Sequence, residues 1–255
     1  MLLLILLIVF VGVAAGLAWF LLAHDKGEKE PIAALWLAVA FGFLGAFVAT
    51  LIESRLINPD NLLPGMPHST VLFTAMAVGA IEEICKFLPL AVVIYHRRYF
   101  NEHTDGIIYF ALAGLGFGLP ENIIYTLQFG GGTGATRLLL TPLFHAATTG
   151  IIGYYLAKQK LSGKAVIGVG MPLTSIIILH GLYDFGLASG SSLYAAIALL
   201  ITLGTTGTLF LLFLRATEHD QEMGLSVVGN NSFCRSCGWA NPTHHLYCTQ
   251  CGKNA

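Results

Sequence analysis

The sequence predicts an all-α polytopic membrane protein of about seven transmembrane helices, followed by a small cysteine-rich module. Three observations lead there. The 255 residues are 55% hydrophobic and only 11% charged, where soluble domains average about 45–50% apolar and about 25% charged. The mean hydropathy is +0.73. The apolar residues also gather in seven runs of about 21–25 residues, each enough to cross roughly 30 Å of hydrocarbon at about 1.5 Å per residue. A disordered chain, a coiled coil and an ordinary water-soluble domain are excluded. The net charge of −1 gives no electrostatic footprint for nucleic acid.

The runs cover 1–23, 31–53, 71–95, 106–129, 138–158, 165–187 and 193–214. None alternates with period two, so the spans are helices and not barrel strands. The first lacks a basic N-terminal region and exceeds a signal-peptide core in length, so it reads as a retained helix. Segments 24–30, 54–70, 96–105, 130–137, 159–164 and 188–192 are polar or glycine-rich and read as loops. With the N-terminus outside, Lys26, Lys29, Arg97, Arg98, Lys158, Lys160 and Lys164 fall on the inner face, leaving only Arg55 and Arg137 outside. That bias predicts a multi-pass protein of the cell membrane with a cytosolic C-terminus. The chain divides into a membrane domain at 1–215, a polar linker at 216–231 and a cysteine module at 232–255.

The module carries Cys234, Cys237, Cys248 and Cys251 as two C-x2-C pairs about ten residues apart. Each pair sets two thiolates on one turn, and two such turns supply the tetrahedral sulfur set that Zn²⁺ prefers. So short a stretch cannot bury a core, so the metal would supply its folding energy. A cytosolic location argues against the alternative of two disulfides. The module resembles a zinc ribbon of the kind appended to many bacterial and archaeal membrane proteins, and such a ribbon can serve as a docking site for a cytosolic protein. His244 and His245 lie between the pairs and read as loop residues. Cys85, inside the third span, reads as a buried inert thiol.

Charged groups at bilayer depth cost about 2.5–3.5 kcal/mol each on insertion scales, so by default they mark function. The third span carries Glu82, Glu83 and Lys86; the fourth Glu121 and Asn122; the fifth His145; the sixth His180 and Asp184. Lys86 lies i+4 from Glu82 and i+3 from Glu83, so it can neutralise either acid. Asp184, one turn beyond His180, is placed to orient its imidazole. Counted along the alternating spans, residues of four helices reach a similar level in the outer half, which predicts one shared, water-filled pocket. Pro89, Pro120 and Pro142 lie close to this level, with Pro172 two turns before His180, and each can bend its helix. Gly114, Gly116 and Gly118 lie within an apolar span and read as close-packing positions, not as a nucleotide loop.

These residues resemble the motifs of the PrsW family of intramembrane proteases, which is related to the CAAX prenyl protease type 2 group and to a non-catalytic γ-secretase subunit. E-E-x-x-K stands here as Glu82, Glu83 and Lys86; F-x-x-x-E-N as Phe117, Glu121 and Asn122; H-x-x-x-D as His180 and Asp184. His145 after the glycine-rich segment and Thr104-Asp105-Gly106 before the fourth span also match. The resemblance covers roughly 70–190. It implies a glutamate-type peptidase acting on membrane-anchored proteins, with the two histidines positioning water or stabilising the oxyanion and Asn122 as an amide donor.

Peptide hydrolysis needs an activated water and a stabilised oxyanion, and Glu82 or Glu83 is the candidate base. The same residues allow a second chemistry, in which one glutamate joins Glu121, His145 and His180 as ligands of a membrane-embedded metal. Chains of Asp, Glu and His also relay protons or ions in transporters, although no inverted repeat is visible. A third alternative is a non-catalytic scaffold with the ribbon as its docking site.

Overall fold

A computed structural model describes residues 2–63, 65–129, 131–163, 166–223, 231–233 and 240–242, together with positions 237, 248 and 251. Among them are seven α-helices: α1 (Leu2–His24), α2 (Ile32–Leu56), α3 (His68–Val93), α4 (His103–Phe129), α5 (Gly131–Leu161), α6 (Gly170–Ala188) and α7 (Ser192–Glu222). Five of them, α1, α2, α4, α6 and α7, are long and apolar enough to cross a membrane. α3 is equally long but carries Glu82, Glu83 and Lys86 in its middle. In the tail, two short strands, β1 (Asn231–Phe233) and β2 (Ala240–Pro242), pair antiparallel.

Each predicted run became a helix, with three differences at the ends. The segment 131–137 is the start of α5 and not a loop; once α5 is nucleated, each added residue gains a backbone hydrogen bond, so its glycines do not stop it. α6 begins only at Gly170, after a short 3-10 turn at Val166–Val169. Pro172 therefore sits in the first turn, where no intrahelical N–H bond is lost, while Pro89, Pro120 and Pro142 lie inside their helices. Third, α7 runs past Arg215 to Glu222, through residues expected to open a linker. The reason lies in Asp220.

The carboxylate of Asp220 accepts the N–H groups of His103 (2.8 Å) and Thr104 (3.0 Å) and the Thr104 hydroxyl (3.1 Å), and it meets His103 Nδ1 at 2.7 Å. It thus satisfies the orphan donors at the N-terminus of α4 from a different helix.

α4 is the central element, packed chiefly on α5 and α2. Glycines set these distances. A Cβ on Gly106 would lie 2.2 Å from the Gly153 carbonyl oxygen, and one on Gly153 would lie 2.0 Å from that of Gly106. The close-packing expectation for the fourth span is met in the same way, since a Cβ on Gly116 would lie 2.2 Å from the Val39 carbonyl oxygen. Phe100, Ile107, Tyr109 and Phe110 of this region join Leu21, Leu90 and Phe213 in the main core. Trp19, Trp36, Leu51, Phe73 and Leu200 point outward, as apolar side chains facing lipid do.

Beside the start of α4, Glu102 is buried against the α1–α2 loop and accepts the Glu28 N–H at 3.1 Å. Its approach requires Gly27, where a Cβ would lie 1.7 Å from Glu102 Oε2. Burial first, then the negative charge of Asp105 and further those of Asp25 and Asp220, push the Glu102 carboxyl up to about 9. A carboxyl raised by folding stabilises the fold fully below its ordinary value, and that contribution disappears as pH rises through the folded value. Between about pH 5 and about 9, the detergent-solubilised protein should therefore lose thermal stability. Glu102→Gln, neutral at every pH, should flatten that decline; an unaltered pH slope would refute the assignment.

Candidate active site

On α3 the i, i+3 and i+4 spacing turns Glu82, Glu83 and Lys86 to one buried face. Lys86 is fully buried, and its ammonium is the hub of the site. Its Nζ lies 3.3 Å from Glu82 Oε2, 3.0 Å from Glu83 Oε1 and 2.8 Å from His145 Nδ1. The Phe117 ring of α4 lies beneath it at 4.1 Å, a cation–π contact. Lys86 therefore engages both glutamates at once and not one or the other.

α5 delivers His145 to this hub. A Cβ on Gly114 would lie 2.2 Å from the His145 carbonyl oxygen, and Gly118 faces the imidazole itself, so only a small-residue face of α4 admits the ring. Because the Lys86 ammonium can only donate, Nδ1 of His145 accepts and Nε2 carries the proton, donated to Glu121 Oε2 at 2.5 Å. Asn122, buried beside Glu121, donates from Nδ2 to the Gly118 carbonyl at 2.9 Å.

α6 delivers His180, and Gly79 of α3 against Gly181 of α6 allows the crossing: a Cβ on Gly79 would lie 2.9 Å from the Gly181 nitrogen. His180 Nδ1 lies 2.7 Å from Glu83 Oε1, while Nε2 lies 3.4 Å from Glu82 Oε2 and 3.5 Å from Asp184 Oδ2. Glu83, and not Asp184, is thus the closer carboxylate on the imidazole. Phe144 holds the ring edge-on at 5.1 Å.

All eight candidate residues lie in or beside this one constellation. Glu82, Glu83, Lys86, Glu121, His145 and His180 form a connected network, with Asn122 at its α4 edge and Asp184 at its α6 edge. Instead of the open, water-filled pocket expected, these groups are packed closed on one another: Glu83 and His145 have no exposed surface, and Glu82 only 4%. A cavity of about 490 Å³ lies elsewhere, lined by Ile151, Tyr155, Met171, Leu179 and Thr208. One further residue reaches the site. The Thr148 hydroxyl donates to Glu83 Oε1 at 3.3 Å, and its i+3 spacing from His145 was the available signal.

Glu82, His145 and His180 each offer one ligand atom, all within 4.8 Å of one another, which is a donor set a divalent ion accepts. The Lys86 ammonium, however, already lies against two of the three, and the remaining nitrogen of His145 faces Glu121. In this arrangement a dication would have to displace Lys86, so the residues as placed do not fit a metal. In the tail, the sulfurs of Cys237, Cys248 and Cys251 also lie within 4.8 Å of one another. Cys237 Sγ and Cys248 Sγ are 3.4 Å apart, and the Cys251 N–H donates to Cys248 Sγ at 3.4 Å. Cys234, His244 and His245 lie outside the described residues. Cys85 is half-buried rather than fully enclosed.

The model of the family described as PrsW family intramembrane metalloprotease matches residues 30–214. The chain is 29% identical over 189 residues to Protease PrsW of Bacillus subtilis (strain 168), covering 72% of this chain and 84% of that one. It is 30% identical over 177 residues to Protease PrsW of Geobacillus kaustophilus (strain HTA426), covering 68% and 76%. With Protease PrsW of Oceanobacillus iheyensis it shares 30% over 190 residues, covering 71% and 83%. No solved structure matches. The protein is a multi-pass membrane peptidase, a hydrolase. It belongs to the PrsW family of intramembrane proteases.

Proposed function

We propose that the protein is an intramembrane or membrane-proximal endopeptidase that hydrolyses membrane-anchored proteins, in site-1-type processing, with water activated by Glu82. The observation that carries this is the unequal engagement of the two glutamates. Glu83 Oε1 accepts from Lys86, His180 and Thr148, whereas Glu82 has, among the described residues, the two long contacts of 3.3 and 3.4 Å. Glu82 takes a proton from water, the hydroxide adds to the scissile carbonyl, and the same proton passes to the leaving amine as the C–N bond breaks. Glu83 holds His180, whose Nε2 faces Glu82 and positions the water, while Asn122 supplies an amide donor for the oxyanion and His145, engaged by Lys86 and Glu121, braces the cluster. Because the groups pack closed, substrate entry requires the helices around the cluster to part. The test is cleavage of a single-span polypeptide in liposomes by wild type and by Glu→Gln variants.

A metal-dependent variant of this chemistry is the second reading, favoured by the Glu82–His145–His180 donor set and by the description of the family. It requires Lys86 to move away. Sensitivity of cleavage to a chelator separates the two readings.

The tail is proposed to be a cytosolic zinc ribbon that docks a protein partner, joined to the membrane domain of 1–215 by the linker at 216–231. Purified protein should hold about one Zn²⁺ per chain. Replacing Cys234 and Cys251 by Ser should abolish that equivalent while the bundle stays folded. An unchanged stoichiometry would refute the ribbon, and a second equivalent surviving the change would favour a metal in the membrane site. The lysine and arginine bias supports an outside N-terminus in the cell membrane. A reporter fused after Ala255 should accordingly work only in the cytosol, and activity on the other side would reverse the orientation.

A further inference from the structure

The cavity of about 490 Å³ takes no part in the cluster around Lys86. Ile151 and Tyr155 of α5 form its floor, Met171, Ile176 and Leu179 of α6 one wall, and α7 the other. Met171, Gly204 and Thr208 on its rim are exposed, so it is a groove that opens sideways to lipid. The α7 wall is polar in sequence but not in the bonds it offers. The Thr205 hydroxyl donates to the Ile201 carbonyl at 2.9 Å and the Thr208 hydroxyl to the Gly204 carbonyl at 2.8 Å, which satisfies both within their own helix. A Cβ on Gly204 would meet no atom within 4 Å, so the groove passes directly over this residue. Met171 to Leu179 spans about 12 Å along α6 at about 1.5 Å per residue. Over that length the volume of about 490 Å³ corresponds to a cross-section of about 40 Å², less than half the roughly 80–110 Å² of a helix about 10–12 Å wide. A spanning helix of a substrate does not fit, whereas unbranched hydrocarbon chains do.

One end of the groove is basic. A Cβ on Gly168, just before α6, would lie 2.6 Å from Gln159 Nε2, so the Met171 end lies level with the last turns of α5. There Lys158 continues the floor, at i+3 from Tyr155 and i+7 from Ile151, and Arg215 continues the α7 wall, at i+7 from Thr208. Both are exposed, and neither forms an ion pair with a carboxylate among the described residues. Lys160, the neighbouring cation, is instead committed to the Tyr95 and Arg97 carbonyls. An apolar slot with two cations beyond one end is complementary to a phospholipid, with chains in the slot and phosphate at the basic end. We infer that this groove binds one phospholipid with an anionic headgroup, its chains between α6 and α7 and its phosphate against Lys158 and Arg215. In the orientation proposed above, that lipid belongs to the inner leaflet. It fills the space behind α6, the helix that carries His180, and it is a component of the bilayer and not a substrate.

The experiment titrates full-length protein in detergent with phosphatidylglycerol or with phosphatidylcholine of identical chains, and counts bound lipids by native mass spectrometry. Wild type should hold one lipid at a tight site, with phosphatidylglycerol bound at least about tenfold more tightly than phosphatidylcholine. The double variant Lys158→Gln/Arg215→Gln should bring that ratio close to one, with the single equivalent still reached at higher lipid concentration. Gly204→Leu fills the groove from a position where the new Cβ meets no atom, and it should remove the tight equivalent for both lipids. Should Gly204→Leu fail to fold, Thr208→Phe, on the rim of the same groove, decides the matter by the same count. Retention of the tight equivalent by a folded groove-filling variant overturns the inference. Equal affinity of wild type for the two lipids, or a ratio that the Lys158 and Arg215 substitutions leave unmoved, overturns it as well. So does displacement of the bound lipid by a single-span polypeptide, which would make the groove a seat for substrate. Cleavage does not enter the readout, so failure here leaves the hydrolase reading intact.

Discussion

Glu82→Gln should lower cleavage of a single-span substrate by at least about 100-fold, the usual scale for loss of a general base, while the protein still folds and accumulates. The amide preserves the shape of the side chain and can keep a polar contact to Lys86 and to His180, at 3.3 and 3.4 Å in the native protein. It cannot accept a proton from water. Glu83→Gln should also suppress cleavage, through a different route, since it weakens the three contacts that Glu83 Oε1 makes to Lys86, His180 and Thr148. The two variants are therefore separable: Glu83→Gln should lower thermal stability and Glu82→Gln should not. His145→Ala and His180→Ala should each abolish cleavage. Asp184→Asn should be milder, because Asp184 lies 3.5 Å from the imidazole and Glu83 lies at 2.7 Å. Full cleavage by Glu82→Gln would eliminate Glu82 as the base. Full cleavage by the double Glu82→Gln/Glu83→Gln variant would remove glutamate chemistry altogether and leave transport or scaffolding as the better account of the cluster.

Much of the architecture was legible because the membrane imposes a simple rule: a span must be apolar and helical. Helix ends were less so. Whether the glycine-rich segment at 131–137 continues α5 depends on nucleation elsewhere in that helix. Whether 216–222 continues α7 depends on Asp220 meeting the start of α4, more than a hundred residues away in sequence. The candidate site was legible for the same physical reason as the spans, in reverse. Glu82, Glu83, Lys86, Glu121, His145 and His180 stand out because charge is costly where they lie. Thr148 escaped because a hydroxyl in a membrane helix usually bonds its own backbone, as Thr202 does with the Ala198 carbonyl.

Asp25 and Glu102 lie in segments whose composition reads as loop, yet both are buried. Neighbouring Glu30 is pushed up to about 7, by burial first and also by the negative charges of Asp25 and Glu102. Tyr109 of α4 donates its hydroxyl to Glu30. Loop composition cannot reveal this, since burial here follows from α4 and α7 meeting over the loop.

Lys86→Met should be among the most destabilising single substitutions in the bundle, by about 3–5 kcal/mol, the range found when one partner of a buried ion pair is removed. Methionine nearly matches the lysine stem in length, so the packing on Phe117 is largely kept and the loss is one of charge. Two carboxylates would then lie fully or almost fully buried with no cation between them, and His145 Nδ1 would lose its donor. This predicts a definite pattern of rescue. Adding Glu83→Gln to Lys86→Met removes the more deeply buried negative charge and should recover a large part of the lost stability. The two substitutions should therefore be strongly non-additive in a thermal-unfolding cycle in detergent. Cleavage should stay absent in the double variant, because His180 loses its closest carboxylate even when the fold returns. A purely steric role for Lys86 predicts instead that Glu83→Gln gives no rescue. If Lys86→Met melted at the wild-type temperature, the ammonium would not be the hub of the site, and the objection to a metal between Glu82, His145 and His180 would fall with it.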